Sequence, residues 1–272
     1  MTSPNDPPKV STALGVAAAV YVGYALFGFV PGLADVRGLA LVAAFYFVPG
    51  YLLRNDPERA RRYQVGPDSP IPPWDGRAAR VALLAGAVVF PPFCAAFVWF
   101  YGQVCGGNTW LVDPLVALEA HLPTAGALEA FLGELCRRYE PFDGFRIVLP
   151  ESFRAYGYLG TVYAVAVEIF VVALPEEVFH RGFLMSVLEE RFPPRHRILG
   201  VPFGLAAVAS SAVFAVGHLV GMAQVGRLAT FFPGLLFAWL WKKTGSLWAG
   251  TLFHAASNLL MSVLLSTTFP AG

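Results

Sequence analysis

Seven stretches of this chain are apolar over lengths that cross, or nearly cross, a bilayer. They are Val10 to Val30, Gly38 to Leu53, Val81 to Tyr101, Tyr156 to Pro175, Ile198 to Val216, Leu228 to Trp241 and Leu247 to Leu265. A spanning helix needs about 20 largely apolar residues, with about 17 to 25 tolerated. Flanking Trp, Tyr, Lys and Arg extend the shorter windows to the interface. Charged residues make up only 14% of the 272, against roughly 25% in a soluble domain. The expected fold is therefore all-α: a polytopic transmembrane helical bundle of about seven spans, forming a single integral-membrane domain over residues 1–272.

Charge in the linkers sets the expected topology. Arg54, Arg59, Arg61, Arg62, Arg77 and Arg80 crowd the segment between the second and third windows, together with Pro67, Pro70, Pro72 and Pro73. Arg191, Arg195 and Arg197 mark a second basic loop, and Lys242 and Lys243 close the sixth window. The positive-inside rule places all three linkers in the cytoplasm. This holds if Tyr156 to Glu190 is one long helix, tilted or kinked at Pro175; splitting it there gives eight spans and puts one basic loop on the wrong side. The N-terminus is then cytoplasmic, and the first window is a retained span, too long and too weakly charged at its start for a secretory signal. Residues 102–155 form an extracytoplasmic loop with amphipathic helices, and residues 156–265 carry the motifs. Cys105 and Cys136 lie in that loop, where a disulfide and two free thiols are both compatible with the sequence. A net charge of +1 offers nothing to nucleic acid.

Ionisable groups in the bilayer interior cost at least about 2.5–3.5 kcal/mol each on insertion scales, so several together need a reason. Three short motifs hold them: Glu176-Glu177-Val178-Phe179-His180-Arg181, Phe214-Ala215-Val216-Gly217-His218 and His254-Ala255-Ala256-Ser257-Asn258. Within each, residues four apart share a helix face. Glu177 and Arg181 make a plausible ion pair, while Glu176 lies about 100° further round the helix and can face another neighbour. A carboxylate in a dry pocket is a better base than one in water, and suits proton transfer to and from a water molecule. His254 and Asn258 can donate to a developing oxyanion. Helix–helix polar glue is the bland reading of any one of these residues; the three-part pattern speaks for a site. Glu168, two turns before Glu176, reads as a partner for an arginine or as a second acid.

Other chemistries leave fewer traces. Two histidines and a glutamate also match the ligand set of catalytic zinc sites, but there is no H-E-x-x-H helix. There is no G-x-S-x-G elbow; Ser210 and Ser211 sit in Ala-Ser-Ser-Ala. A proton-coupled transporter would use Glu176 and Glu168, without the discontinuous repeats many transporters carry.

The order E-E-x-x-x-R, F-x-x-x-H, H-x-x-x-N, each in an apolar helix, resembles the CPBP family of CAAX prenyl endopeptidases and bacteriocin-processing proteins, which are glutamic-type intramembrane proteases. Phe232-Pro233-Gly234-Leu235 and Trp241 to Trp248 fit it too, and the resemblance runs from about Val167 to Leu260. It implies that Glu176 activates water with His218, that His254 and Asn258 stabilise the tetrahedral intermediate, and that Glu177 and Arg181 are supporting residues. His180 departs from the aromatic expected there and reads as a packing variant or a spare proton carrier. The implied function is hydrolysis of a peptide bond near the C-terminus of a membrane-associated or lipid-anchored protein in a bacterial inner membrane, as in the myxosortase-like sorting proteases, with no cofactor. The alternatives are a zinc-dependent form of the same protease and a non-catalytic membrane immunity or scaffold protein.

Overall fold

The computed structural model describes residues 9–66, 71–155, 157–222 and 224–270. Residues 1–8, Pro67 and Pro70 of the basic linker, and Tyr156 at the start of the fourth apolar window lie outside the described residues. The chain is mostly helical, in the order α1 (Val10–Phe27), α2 (Arg37–Leu52), α3 (Pro57–Tyr63), α4 (Gly76–Cys105), α5 (Asp113–Glu119), α6 (Ala127–Arg137), α7 (Glu151–Arg154) and α8 (Gly157–Arg191). Then come strands β1 (His196–Ile198) and β2 (Val201–Phe203), α9 (Leu205–Met222), a 3₁₀ turn over Val225–Thr230, α10 (Phe231–Thr244) and α11 (Leu247–Thr268).

Among the described residues, four helices are long and apolar enough to cross a membrane by length and composition: α1, α4, α8 and α11. They mark the chain as a membrane protein. The windows expected as a second and a sixth span become helices of 16 and 14 residues, α2 and α10. The window from Ile198 divides. Its first residues form an antiparallel hairpin pairing Ile198 with Val201, and the helix starts only at Leu205. Leu199 and Gly200 both take positive φ, 50° and 78°, as a two-residue hairpin turn of the tight mirror-image type requires. Hydropathy could not report this, because an apolar strand and an apolar helix turn look alike over six residues.

The 35-residue α8 is the axis of the bundle. Its first turns present Tyr158, Leu159 and Tyr163 outward, whereas Ala173, Leu174, Pro175 and the whole run Glu177 to Leu188 are buried. A helix apolar all round must be surrounded, and it is. Phe45 of α2 stacks on Phe179 (4.7 Å), Phe214 of α9 meets His180 (5.1 Å), and Phe237 of α10 lies against His254 of α11 (4.5 Å). Polar contacts run in opposite order along α8 and α11, Glu168 with Asn258 and Glu177 with His254, so these two helices are antiparallel.

The two ends of the bundle differ chemically. At one end Arg59 and Arg62 of α3 pair with Glu190, and Lys242 of α10 pairs with Glu189, so the basic linkers meet around the C-terminal turns of α8. There Gln64 bridges Gly245 O and the Leu247 N–H, supplying the first turn of α11 with a donor's partner. At the other end Cys105 and Cys136 form a disulfide that joins the end of α4 to α6, which resolves the alternative the sequence left open. The loop beyond it is tied to the end of α11, through Glu140 N–H to Thr268 O (2.8 Å) and Val148 N–H to Thr267 Oγ1 (3.0 Å).

Candidate active site

Glu176 and Glu177 sit on a single α turn, Leu174–Glu177, between two π-helical stretches, Glu168–Ala173 and Val178–Met185. Pro175 has no N–H to give the helical ladder, and the widened stretch before it absorbs the missing bond, so the helix runs on through Pro175. Single π turns inside α-helices cluster at functional sites. Their carbonyls are reached by side-chain donors from neighbouring helices and from α8 itself. Tyr46 donates to Phe170 O (2.5 Å), Ser210 to His180 O (2.7 Å) and Ser186 to Arg181 O (3.1 Å). The serines set aside as nucleophiles thus have different fates in the fold: Ser210 completes the backbone of α8, and Ser211 packs beside Gly234.

The two glutamates have different surroundings. Glu177 is fully buried, and its Oε1 lies 3.2 Å from Arg181 Nη1 and 3.2 Å from His254 Nδ1. Arg181, also fully buried, donates to Gly234 O (3.0 Å) and stands over the rings of Phe214 (4.5 Å) and Phe237 (5.1 Å). An ion pair with a hydrogen bond and two aromatic faces is the company a buried guanidinium needs. Glu177 Oε2 rests against Gly250, where a Cβ would come within 2.8 Å of it. That position must be glycine for the carboxylate to fit.

Glu176 is only partly buried, its side chain 18% exposed, and Oε2 lies 3.7 Å from His254 Nε2 with no hydrogen-bond partner among the described residues. His254 therefore stands between both carboxylates, stacked on Phe237 at 4.5 Å and 19°. Its Nδ1 faces Glu177, so a proton there donates to that carboxylate and Nε2 is left for Glu176 and whatever lies beside it.

His218 is half-buried. Its Nδ1 donates to Phe214 O one turn earlier (3.0 Å), which leaves Nε2 with a lone pair. No hydrogen bond or ion pair joins His218 to Glu176 among the described residues. Asn258, one turn beyond His254, donates from Nδ2 to Glu168 Oε2 (3.1 Å). Glu168 is accordingly a partner of the asparagine, a pairing that residue spacing along α8 does not show. His180 is fully buried, with Nδ1 on Glu176 O (2.9 Å) and Nε2 on the Tyr21 hydroxyl (2.7 Å). Tyr21 belongs to α1 and to no motif; only the fold reveals it.

Of the six residues named from the motifs, Glu177 reaches Arg181 and His254, Glu176 lies 3.7 Å from His254, and Asn258 stands one turn beyond His254 on α11. His218 is connected to them through Phe214, whose ring packs on both His218 (4.4 Å) and His254 (5.8 Å). Among the described residues no three His, Cys, Asp or Glu side chains are grouped as metal ligands.

No match was found among curated proteins or among solved structures. Over residues 158–260, from the first turn of α8 to the middle of α11, the chain is similar to the family described as Type II CAAX prenyl endopeptidase Rce1-like.

Proposed function

We propose that the chain is an intramembrane endopeptidase that hydrolyses a peptide bond near the C-terminus of a membrane-associated protein, with Glu176 taking the proton of the attacking water. The observation that carries this reading is the contrast between the adjacent glutamates. Both Oε2 atoms lack a hydrogen-bond partner among the described residues. Glu177, however, is fully buried and paired through Oε1 with Arg181 and His254, whereas Glu176 is partly exposed and has only His254 Nε2, 3.7 Å from its Oε2. The likeness of residues 158–260 to a CAAX endopeptidase family supports the reaction class.

In the forward step the water oxygen attacks the scissile carbonyl carbon and its proton passes to Glu176. The His218 Nε2 lone pair gives the same water a second acceptor. Charge then gathers on the carbonyl oxygen. His254, as an imidazolium whose Nδ1–H is held by the Glu177 carboxylate, donates to it from Nε2–H, as does the Asn258 amide. As the intermediate collapses, the C–N bond breaks and Glu176 returns its proton to the leaving amine. The water's second proton leaves the new carboxyl group for solvent, and Glu176 is again a carboxylate.

The basic end of the bundle lies in the cytoplasm and the disulfide-bearing loop outside, in line with the positive-inside rule and with an oxidising compartment. The Ala, Gly, Val and Arg usage supports a bacterial inner membrane, and the substrate class that fits is a protein with a C-terminal membrane-borne sorting signal. The test is a comparison of C-terminal peptides in the membrane proteome between cells carrying wild-type chain and Glu176→Ala. Loss of a defined set of trimmed C-termini is expected. An unchanged set would sink the peptidase reading and favour a non-catalytic membrane role.

A further inference from the structure

The family likeness begins at residue 158, yet a side chain from α1 reaches the proposed centre. The Tyr21 hydroxyl lies 2.7 Å from His180 Nε2, and His180 Nδ1 lies 2.9 Å from the Glu176 carbonyl oxygen. A carbonyl only accepts, so Nδ1 carries the ring hydrogen, Nε2 carries the lone pair, and the phenol is the donor. On its other side the phenol tip fills a notch in α9. A Cβ on Gly217 would fall 2.1 Å from Tyr21 Cζ and 2.3 Å from its oxygen. Gly217 immediately precedes His218. The ring itself is seated edge-on against Phe45 of α2, 6.0 Å between centroids.

Glu176 and His218 are the groups assigned to the attacking water, and they stand on different helices with no bond between them among the described residues. The two helices meet directly one turn or more away, where Ser210 donates to His180 O and Phe214 lies against His180. Nearer His218 the phenol adds a contact to each, touching α8 through His180 and α9 through Gly217, one residue from His218.

We propose that Tyr21 and His180 are positioning residues of the reaction centre: the phenol seats the turn of α9 that carries His218, and its hydrogen bond, passed through His180, holds the Glu176 carbonyl and the turn that aims the Glu176 side chain. This rests on the peptidase reading and extends the site to the N-terminal half of the chain. The glycine at 217 follows from it, because a Cβ there displaces the phenol.

The experiment compares wild type, Tyr21→Phe, Tyr21→Ala, the double variant Tyr21→Phe with His180→Phe, and Glu176→Ala. Each is full-length, in cells, at matched abundance. The readout is the rate at which Glu176-dependent C-termini appear, with thermal melting of the purified chains as the check on folding. Tyr21→Phe keeps the ring and loses the donor, and slows processing about three- to tenfold, the weight of one net hydrogen bond. Tyr21→Ala loses the ring's contacts with Gly217 and Phe45 as well and slows it further. A purely structural polar pair can be replaced by two apolar rings at little cost, so restored processing in the double variant overturns the proposal; continued slow processing in a double variant that melts like wild type supports it. Nitrogen-15 histidine spectra add an independent readout, since Tyr21→Phe should move the His180 and His218 signals together. If Tyr21→Ala does not fold, Tyr21→Phe and the double variant still decide. If Glu176→Ala blocks processing while Tyr21→Phe runs at the wild-type rate, only the positioning inference falls. If Glu176→Ala alters no C-terminus, the peptidase reading falls and takes this inference with it.

Discussion

Oε1 of Glu177 is shared between Arg181 Nη1 and His254 Nδ1, each at 3.2 Å, all three side chains being almost wholly excluded from solvent. One carboxylate oxygen thus neutralises a buried cation and orients an imidazole. Removing one partner of a buried ion pair strands the other and costs about 3–5 kcal/mol. Glu177→Ala and Arg181→Ala are therefore expected to lower the stability of the purified chain by that amount and to lower its abundance in membranes.

Glu176 should behave in the opposite way. Its Oε2 has no hydrogen-bond partner among the described residues and its side chain is partly exposed, so Glu176→Gln removes a base at the cost of only the long 3.7 Å contact with His254. Processing is expected to vanish while the melting temperature stays at or above the wild-type value. Melting curves run alongside processing assays separate the two glutamates; a Glu176→Gln chain as unstable as Glu177→Ala would assign Glu176 to the brace instead.

Gly250 gives a steric test of the same centre. A methyl group there would sit 2.8 Å from Glu177 Oε2 and 3.4 Å from its carboxyl carbon. Overpacking of this kind costs about 1–3 kcal/mol. Gly250→Ala is expected to destabilise the chain by that much and to slow processing through a displaced His254, which a melt and a processing assay on one preparation will read.

Asn258 carries its own expectation. Loss of one preorganised oxyanion donor costs about 10²–10³-fold in turnover. Asn258→Ala should slow processing to that extent. Glu168→Ala should have a smaller effect, because it frees the amide that Glu168 now holds without removing it. Equal losses in the two variants would mean that Glu168 takes part directly.

Activity of isolated membranes is expected to survive strong chelators, because the proposed steps use only Glu176, His218, His254, Asn258 and water. Inactivation reversed by added zinc would replace that mechanism with the metal-dependent alternative.

The loop disulfide makes a countable prediction. Denatured protein without reductant should expose one thiol per chain, Cys94, and with reductant three. Breaking a crosslink that closes a loop of 31 residues should cost the folded chain about 3–4 kcal/mol in the chain-entropy description. Melting of Cys105→Ser with Cys136→Ser against wild type measures it.

The sequence by itself determined the solvent this chain folds in and the residues worth watching. Apolar runs of span length are a property of composition along the chain, and a polar or charged residue is conspicuous wherever its neighbours are apolar, so Glu176, Glu177, Arg181, His218, His254 and Asn258 all stand out in the sequence itself. The i,i+4 pair Glu177–Arg181 is local helix geometry and was legible for that reason. What only the tertiary structure decided is partnership across helices: that His254 falls between the two glutamates, that Asn258 is held by Glu168, that Cys105 meets Cys136, and that Tyr21 of the first helix reaches His180. Helical periodicity fixes which face a side chain occupies but not which helix will lie against that face. The ladder adjustments were hidden too. The π-helical stretches Glu168–Ala173 and Val178–Met185 have carbonyls taken by hydroxyls of Tyr46, Ser210 and Ser186, and two of those three come from elsewhere in the bundle.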